Sequence, residues 1–138
     1  MVIRSMISAI LLMLTLASGA RAQGGPLPTL NGSVKVATGL TYQLILAGSA
    51  IRNSLTIQNN QASGTDVCYI VIGTNQIVAG TTATSTNITI AGTTITAANA
   101  SIVLTQGQSY TRYFPHIPSD AIYGTCTTSG DFIYVDTQ

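Results

Sequence analysis

The residues able to do chemistry are few. A nucleophilic triad needs a base beside a nucleophile, and the single histidine, His116, lies in the turn Phe114-Pro-His-Ile-Pro-Ser-Asp120, close to Ser119 and Asp120. Neighbours in a proline-flanked turn do not reach triad geometry, so no catalytic residue is expected there. Glycoside hydrolysis by paired carboxylates is equally poorly supplied. The chain has no glutamate, and Asp66, Asp120 and Asp131 fall in or beside turn-forming stretches, where Asp caps backbone without reacting. Zinc would require several histidine or cysteine ligands. No aspartate-rich loop has calcium-ligand spacing, around Asp120 and Asp131 included, and there is no glycine-rich phosphate loop or βαβ unit. The expectation is a non-enzyme without catalytic, cofactor-binding or metal-binding residues.

Ligand binding has one coherent candidate. Exposed tyrosines stack on sugar rings, and the sharpest cluster is Tyr110, Arg112 and Tyr113. On a strand, alternation places Tyr110, Arg112 and Phe114 on one face and Tyr113 on the other, so the cluster lines a single groove only if a bulge intervenes. The alternation Thr82, Thr84, Thr86 is similar to the threonine ladders of ice-binding proteins, though it is one short tract without a repeated coil. Asn31, Asn87 and Asn99 each begin an N-glycosylation acceptor pattern, which a chain so rich in Asn, Ser and Thr produces by composition.

The first 22 residues read as an export signal. Arg4 supplies the positive n-region, residues 6–17 (MISAILLMLTLA) the apolar h-region, and Ala20-Arg21-Ala22 the cleavage signal before Gln23. Twelve helical residues rise only about 18 Å against a hydrocarbon core of roughly 30 Å, which argues against a membrane anchor. Beyond Ala22 the apolar residues never form a long run, so no membrane span is expected in the mature chain. There Lys35, Arg52 and Arg112 face four aspartates, a net of −1 that offers no footprint for nucleic acid. The expected location is secreted, periplasmic or cell-surface.

An oxidising compartment permits a disulfide, and Cys68 with Cys126 is the one intramolecular pairing possible. Cys68 shares a strand face with Ile70 and Ile72, and Cys126 with Ile122, so both thiols point where the apolar residues point. Two buried free cysteines are the alternative.

Residues 23–30 contain two glycines and two prolines and read as a flexible leader. Beyond them the hydrophobic period is two: Leu55 and Ile57 alternate with Ser54, Thr56 and Gln58. Strands are expected at 33–36, 42–46, 53–59, 67–72, 87–90, 93–96, 101–104, 109–114, 121–125 and 132–136, separated by turn formers at the spacing of a sandwich or small barrel. The fold class is therefore all-β: one antiparallel β-sandwich, jelly-roll or Ig-like, over residues 31–138. Thr supplies 20 of the 116 residues after Ala22, giving polarity without charge. That leaves Lys35, Arg52 and Arg112 as the only basic guards against edge pairing, so association with a protein partner or with copies of the chain is expected. Residues 73–100 hold fewer large apolar side chains and read as a projecting, mobile or edge feature around the hairpin at 87–96.

The runs Arg52-Asn-Ser-Leu-Thr-Ile-Gln-Asn-Asn60, Val67-Cys-Tyr-Ile-Val-Ile-Gly73, Ala100-Ser-Ile-Val-Leu-Thr-Gln-Gly-Gln-Ser-Tyr110 and Ile117-Pro-Ser-Asp-Ala-Ile122 together resemble small all-β proteins of bacterial prophage and phage structural regions. The resemblance covers about the last 90 residues and rests on short strand and turn patterns. It implies a β-sandwich module of a surface or virion-like assembly and carries no catalytic residues. The signal peptide sets this chain apart from virion parts, which assemble inside the cell, and favours an exported relative. The expected function is a non-catalytic structural or interaction module; the alternative is a secreted carbohydrate-binding domain using exposed tyrosines.

Overall fold

A computed structural model describes residues 30–49, 52–61, 64–73 and 76–138. The expected export signal, its cleavage point and residues 23–29 of the expected leader lie outside the described residues. The described residues form ten strands: β1 (Leu30–Lys35), β2 (Gln43–Leu46), β3 (Ser54–Asn59), β4 (Cys68–Ile72), β5 (Asn87–Ile90), β6 (Thr93–Thr96), β7 (Ile102–Leu104), β8 (Ser109–Tyr113), β9 (Ile122–Cys126) and β10 (Phe132–Thr137), with one 3₁₀ turn, Ala98–Ala100. No helix among the described residues is long and apolar enough to cross a membrane. β1 begins three residues before the periodicity predicts. Asn31 and Gly32 have little strand preference of their own and are held by pairing with Asp136 and Val135.

Two four-stranded antiparallel sheets carry the architecture, ordered β1-β10-β3-β8 and β2-β9-β4-β7. With the β5–β6 hairpin set aside, the pairing is nested: first strand with last (β1·β10), second with seventh (β2·β9), third with sixth (β3·β8) and fourth with fifth (β4·β7). Two further pairings, β10·β3 and β4·β9, roll this ribbon into two facing sheets. That connectivity is a jelly roll, which selects between the two kinds of sandwich the sequence left open.

Alternation fills the space between the sheets. Leu55, Ile57, Ile133 and Val135 from the first sheet meet Ile70, Ile122, Leu104 and the two cysteines from the second, and each is buried. A register shift in β2 between Leu44 and Leu46 turns both Ile45 and Leu46 into this core, which strict alternation forbids. Gly124 leaves no room for a side chain: a Cβ there would lie 2.9–3.1 Å from side-chain carbons of Ile70, Ile133 and Ile45. Cys68 and Cys126 are register partners on β4 and β9 and form a disulfide within the second sheet, closing a loop of 58 residues.

Two buried polar side chains hold the ends of the sandwich. Asn59 is fully buried, and its amide donates to the carbonyls of Asp66 and Leu104, both at 3.0 Å. Arg52, read from sequence as an edge guard, is instead buried as a clamp. Its guanidinium donates to the carbonyls of Pro118, at 2.7 Å, of Asp120 and of Ala47, tying two loops together. Burial, partly offset by the Asp120 charge, lowers its pKa.

The segment 73–100 does not merely project. β5 and β6 form a two-stranded sheet that contributes to a second core, in which Ile77, Ala83, Ile88, Ala97 and Ala98 pack with Tyr42 against Tyr69, Val71 and Tyr123. Tyr69, Val71 and Tyr123 are the outward residues of β4 and β9, so the insertion forms a third layer over the second sheet. Small apolar residues suffice because the tyrosines supply the bulk. The Tyr42 hydroxyl, 55 residues from Ala97 in sequence, reaches the Ala97 carbonyl at 3.3 Å and shares a short hydrogen bond with Ser101. Thr82, Thr84 and Thr86 form no flat ladder. Thr82 bridges to Thr41, after which the chain turns, with the Thr82 N–H donating to the Thr86 hydroxyl at 3.2 Å.

Candidate functional site

β8 is an edge strand of the first sheet and pairs with β3 in continuous register, with no bulge. Arg112 lies opposite Leu55 and Tyr110 opposite Ile57, so both project from the core face; Tyr113 lies opposite Ser54 on the outer face. Tyr110 is half-buried against the core. Arg112 extends past the core's rim and folds onto Tyr110, donating from Nε to its hydroxyl at 2.7 Å, with the guanidinium carbon 4.9 Å from the ring centroid. The three residues singled out by sequence therefore occupy two faces and form no common groove. Tyr113 and Phe114 at the end of β8 are the most exposed large hydrophobic residues described, at 69% and 75%.

The turn after β8 places His116 at the surface. Its neighbours Pro118 and Asp120 direct their carbonyls to Arg52, and no hydrogen bond joins the side chains of His116, Ser119 and Asp120 among the described residues.

The two sheets differ in what covers them. The outer face of the second sheet lies under the β5–β6 layer, leaving an open, mostly apolar cleft of about 320 Å³ between Val71, Ile72, Ile77, Ile88 and Ile90. The outer face of the first sheet has no such cover among the described residues. Register gives its rows: Asn31, Asp136, Thr56 and Thr111 across all four strands, then Ser33, Tyr134, Gln58 and Ser109, then Lys35 beside Phe132, with Ser54 beside Tyr113 at the far end. The Thr56 and Thr111 hydroxyls lie 3.3 Å apart. Oδ1 of Asp136 has no hydrogen-bond partner. This is a broad surface of hydroxyls and amides with three aromatic rings, Lys35 and Asp136.

The edges of the same sheet are guarded. Of the three basic residues after Ala22, Lys35 lies on β1 and Arg112 on β8, the two outermost strands. The outermost strands of the second sheet are short or bulged: β7 has three residues and β2 carries the register shift. Charge, shortness and bulging all oppose strand addition.

Fold and surface together define a jelly-roll sandwich with one polar-aromatic face that no described residue covers. No protein-family model matches the chain, and no curated protein or solved structure matches it.

Proposed function

We propose that this chain is an exported, non-catalytic structural module that associates with copies of itself through the outer face of its first sheet. The jelly-roll fold occurs in both capsid and lectin domains and so does not choose between assembly and sugar binding; the site must. The observation that carries the reading is the asymmetry between the two sheets. One is roofed by the chain's own hairpin, whereas the other presents Phe132, Tyr134 and Tyr113 among mostly uncharged polar residues, with its edges guarded and its face open among the described residues. With Lys35 and Asp136 its only charged residues among those described, that face adds little repulsion when two copies meet. A place in a surface or virion-like assembly, as the prophage resemblance implies, agrees with it.

The test is light scattering across a range of protein concentrations. The expected mass exceeds one chain and falls to one chain in Tyr134→Lys, whose side chain lies on the outer face. A second reading, carbohydrate binding, is favoured by the exposure of Tyr113 and Phe114. A strict monomer would refute self-association, and if that monomer bound an immobilised glycan and lost it in Tyr113→Ala, the second reading would replace the first.

A further inference from the structure

Asp66 and Asp131 stand 65 residues apart in sequence, yet the fold sets them on either side of Thr128. The hydroxyls of Thr128 and Thr127 donate to Asp66 Oδ1 at 2.7 and 2.8 Å. The Asp131 carboxylate lies within electrostatic reach of the Thr128 backbone N–H and of Asp66. The surrounding backbone is fixed: Thr127 N–H donates to Val67 at 2.9 Å, Val36 N–H to Asp131 at 2.7 Å and Gly130 N–H to Val36 at 2.8 Å.

Asp131 is only 7% exposed, and its Oδ2 is sealed from solvent without a hydrogen-bond partner. Its carboxyl is raised above the usual carboxylate range, first by burial and then by the charge of Asp66. An orphaned, buried carboxylate oxygen beside a second carboxylate carries two costs, lost solvation and like-charge repulsion. A bound cation removes both. Lys35 runs close to Gly130 but forms no ion pair with either aspartate among the described residues.

We propose that Asp66 and Asp131, held by Thr127 and Thr128, form a binding site for calcium at the β9–β10 end of the sandwich. All the groups offered are hard oxygens, and calcium accepts irregular shells completed by water, whereas magnesium demands near-ideal octahedral geometry. No third acidic, histidine or cysteine side chain joins the pair among the described residues. Two carboxylates place the site at the weak end of protein calcium sites, with dissociation constants of about 10⁻⁴–10⁻³ M.

The experiment is calcium titration of the protein purified after export, at constant ionic strength, followed by calorimetry and by thermal unfolding. The expected result is saturable binding, with the unfolding temperature raised by about 5 °C at tenfold excess over the midpoint. Asp131→Asn and Asp66→Asn should each abolish the response, and Asp120→Asn, at the opposite end of the sandwich, should retain it. Asp66→Asn keeps an acceptor for both threonine hydroxyls, so it remains informative if Asp131→Asn fails to fold. The absence of calcium-dependent heat or stabilisation in the unsubstituted protein would overturn the proposal, as would a response undiminished in Asp66→Asn.

Discussion

Tyr42 is the residue whose burial has the clearest chemical consequence. Its ring is enclosed in the second core, and burial, opposed by the Ser101 hydrogen bond and aided by Tyr69, pushes the phenol up to about 12 from 10.0. The unfolded phenol therefore loses its proton first as pH rises. The stability linked to Tyr42 is complete below about pH 10 and is lost as pH climbs through about 12, a difference of about 2–3 kcal/mol. Urea unfolding at stepped alkaline pH should show that decline, and Tyr42→Phe should flatten it while costing about 1 kcal/mol at neutral pH for the lost hydrogen bonds. A slope unchanged in the Phe variant would remove Tyr42 from the account. Residues of this kind are the least legible in a linear sequence. Arg52 and Asn59 count as polar in any alternation pattern, and only the carbonyls converging on them in three dimensions make them interior. Asp66 and Asp131 likewise share no spacing that a linear motif could register.

At the scale of elements, period-two patterning located all ten strands with ends displaced by at most three residues, because burial on one face dictates side-chain type directly. It also placed both cysteines inward, and register then set Cys68 opposite Cys126. In the chain-entropy picture a loop of 58 residues is worth about 4 kcal/mol. Replacing both cysteines by alanine should lower the denaturation midpoint accordingly, and non-reducing mass spectrometry should find the folded protein two hydrogens lighter than the dithiol. Two alkylatable thiols in the folded form would count against the bond. The anchoring of the β5–β6 segment is not legible in its own residues. Its own residues are small, and what anchors them is a set of tyrosines contributed by β4, β9 and the chain just before β2.

For the whole molecule, periodicity specified a sandwich but not its wiring, since the order of strands depends on pairings between residues up to 107 positions apart, such as Leu30 with Thr137. The three-layer arrangement carries its own prediction. Replacing the β5–β6 hairpin with a short glycine linker should leave the jelly roll folded, with its strand-type circular dichroism, but uncover Tyr69, Val71 and Tyr123 and produce binding of a hydrophobic dye. Retention of full stability without dye binding would mean that the layer is not a cover. The nested pairing has a consequence for biosynthesis. The partner of β1 is β10, the strand made after the other nine, so the nascent ribbon cannot shut before that strand is available. Until then the polypeptide stays threadable, open to a chaperone or a translocation pore, and commits to its shape only once the tenth strand has emerged.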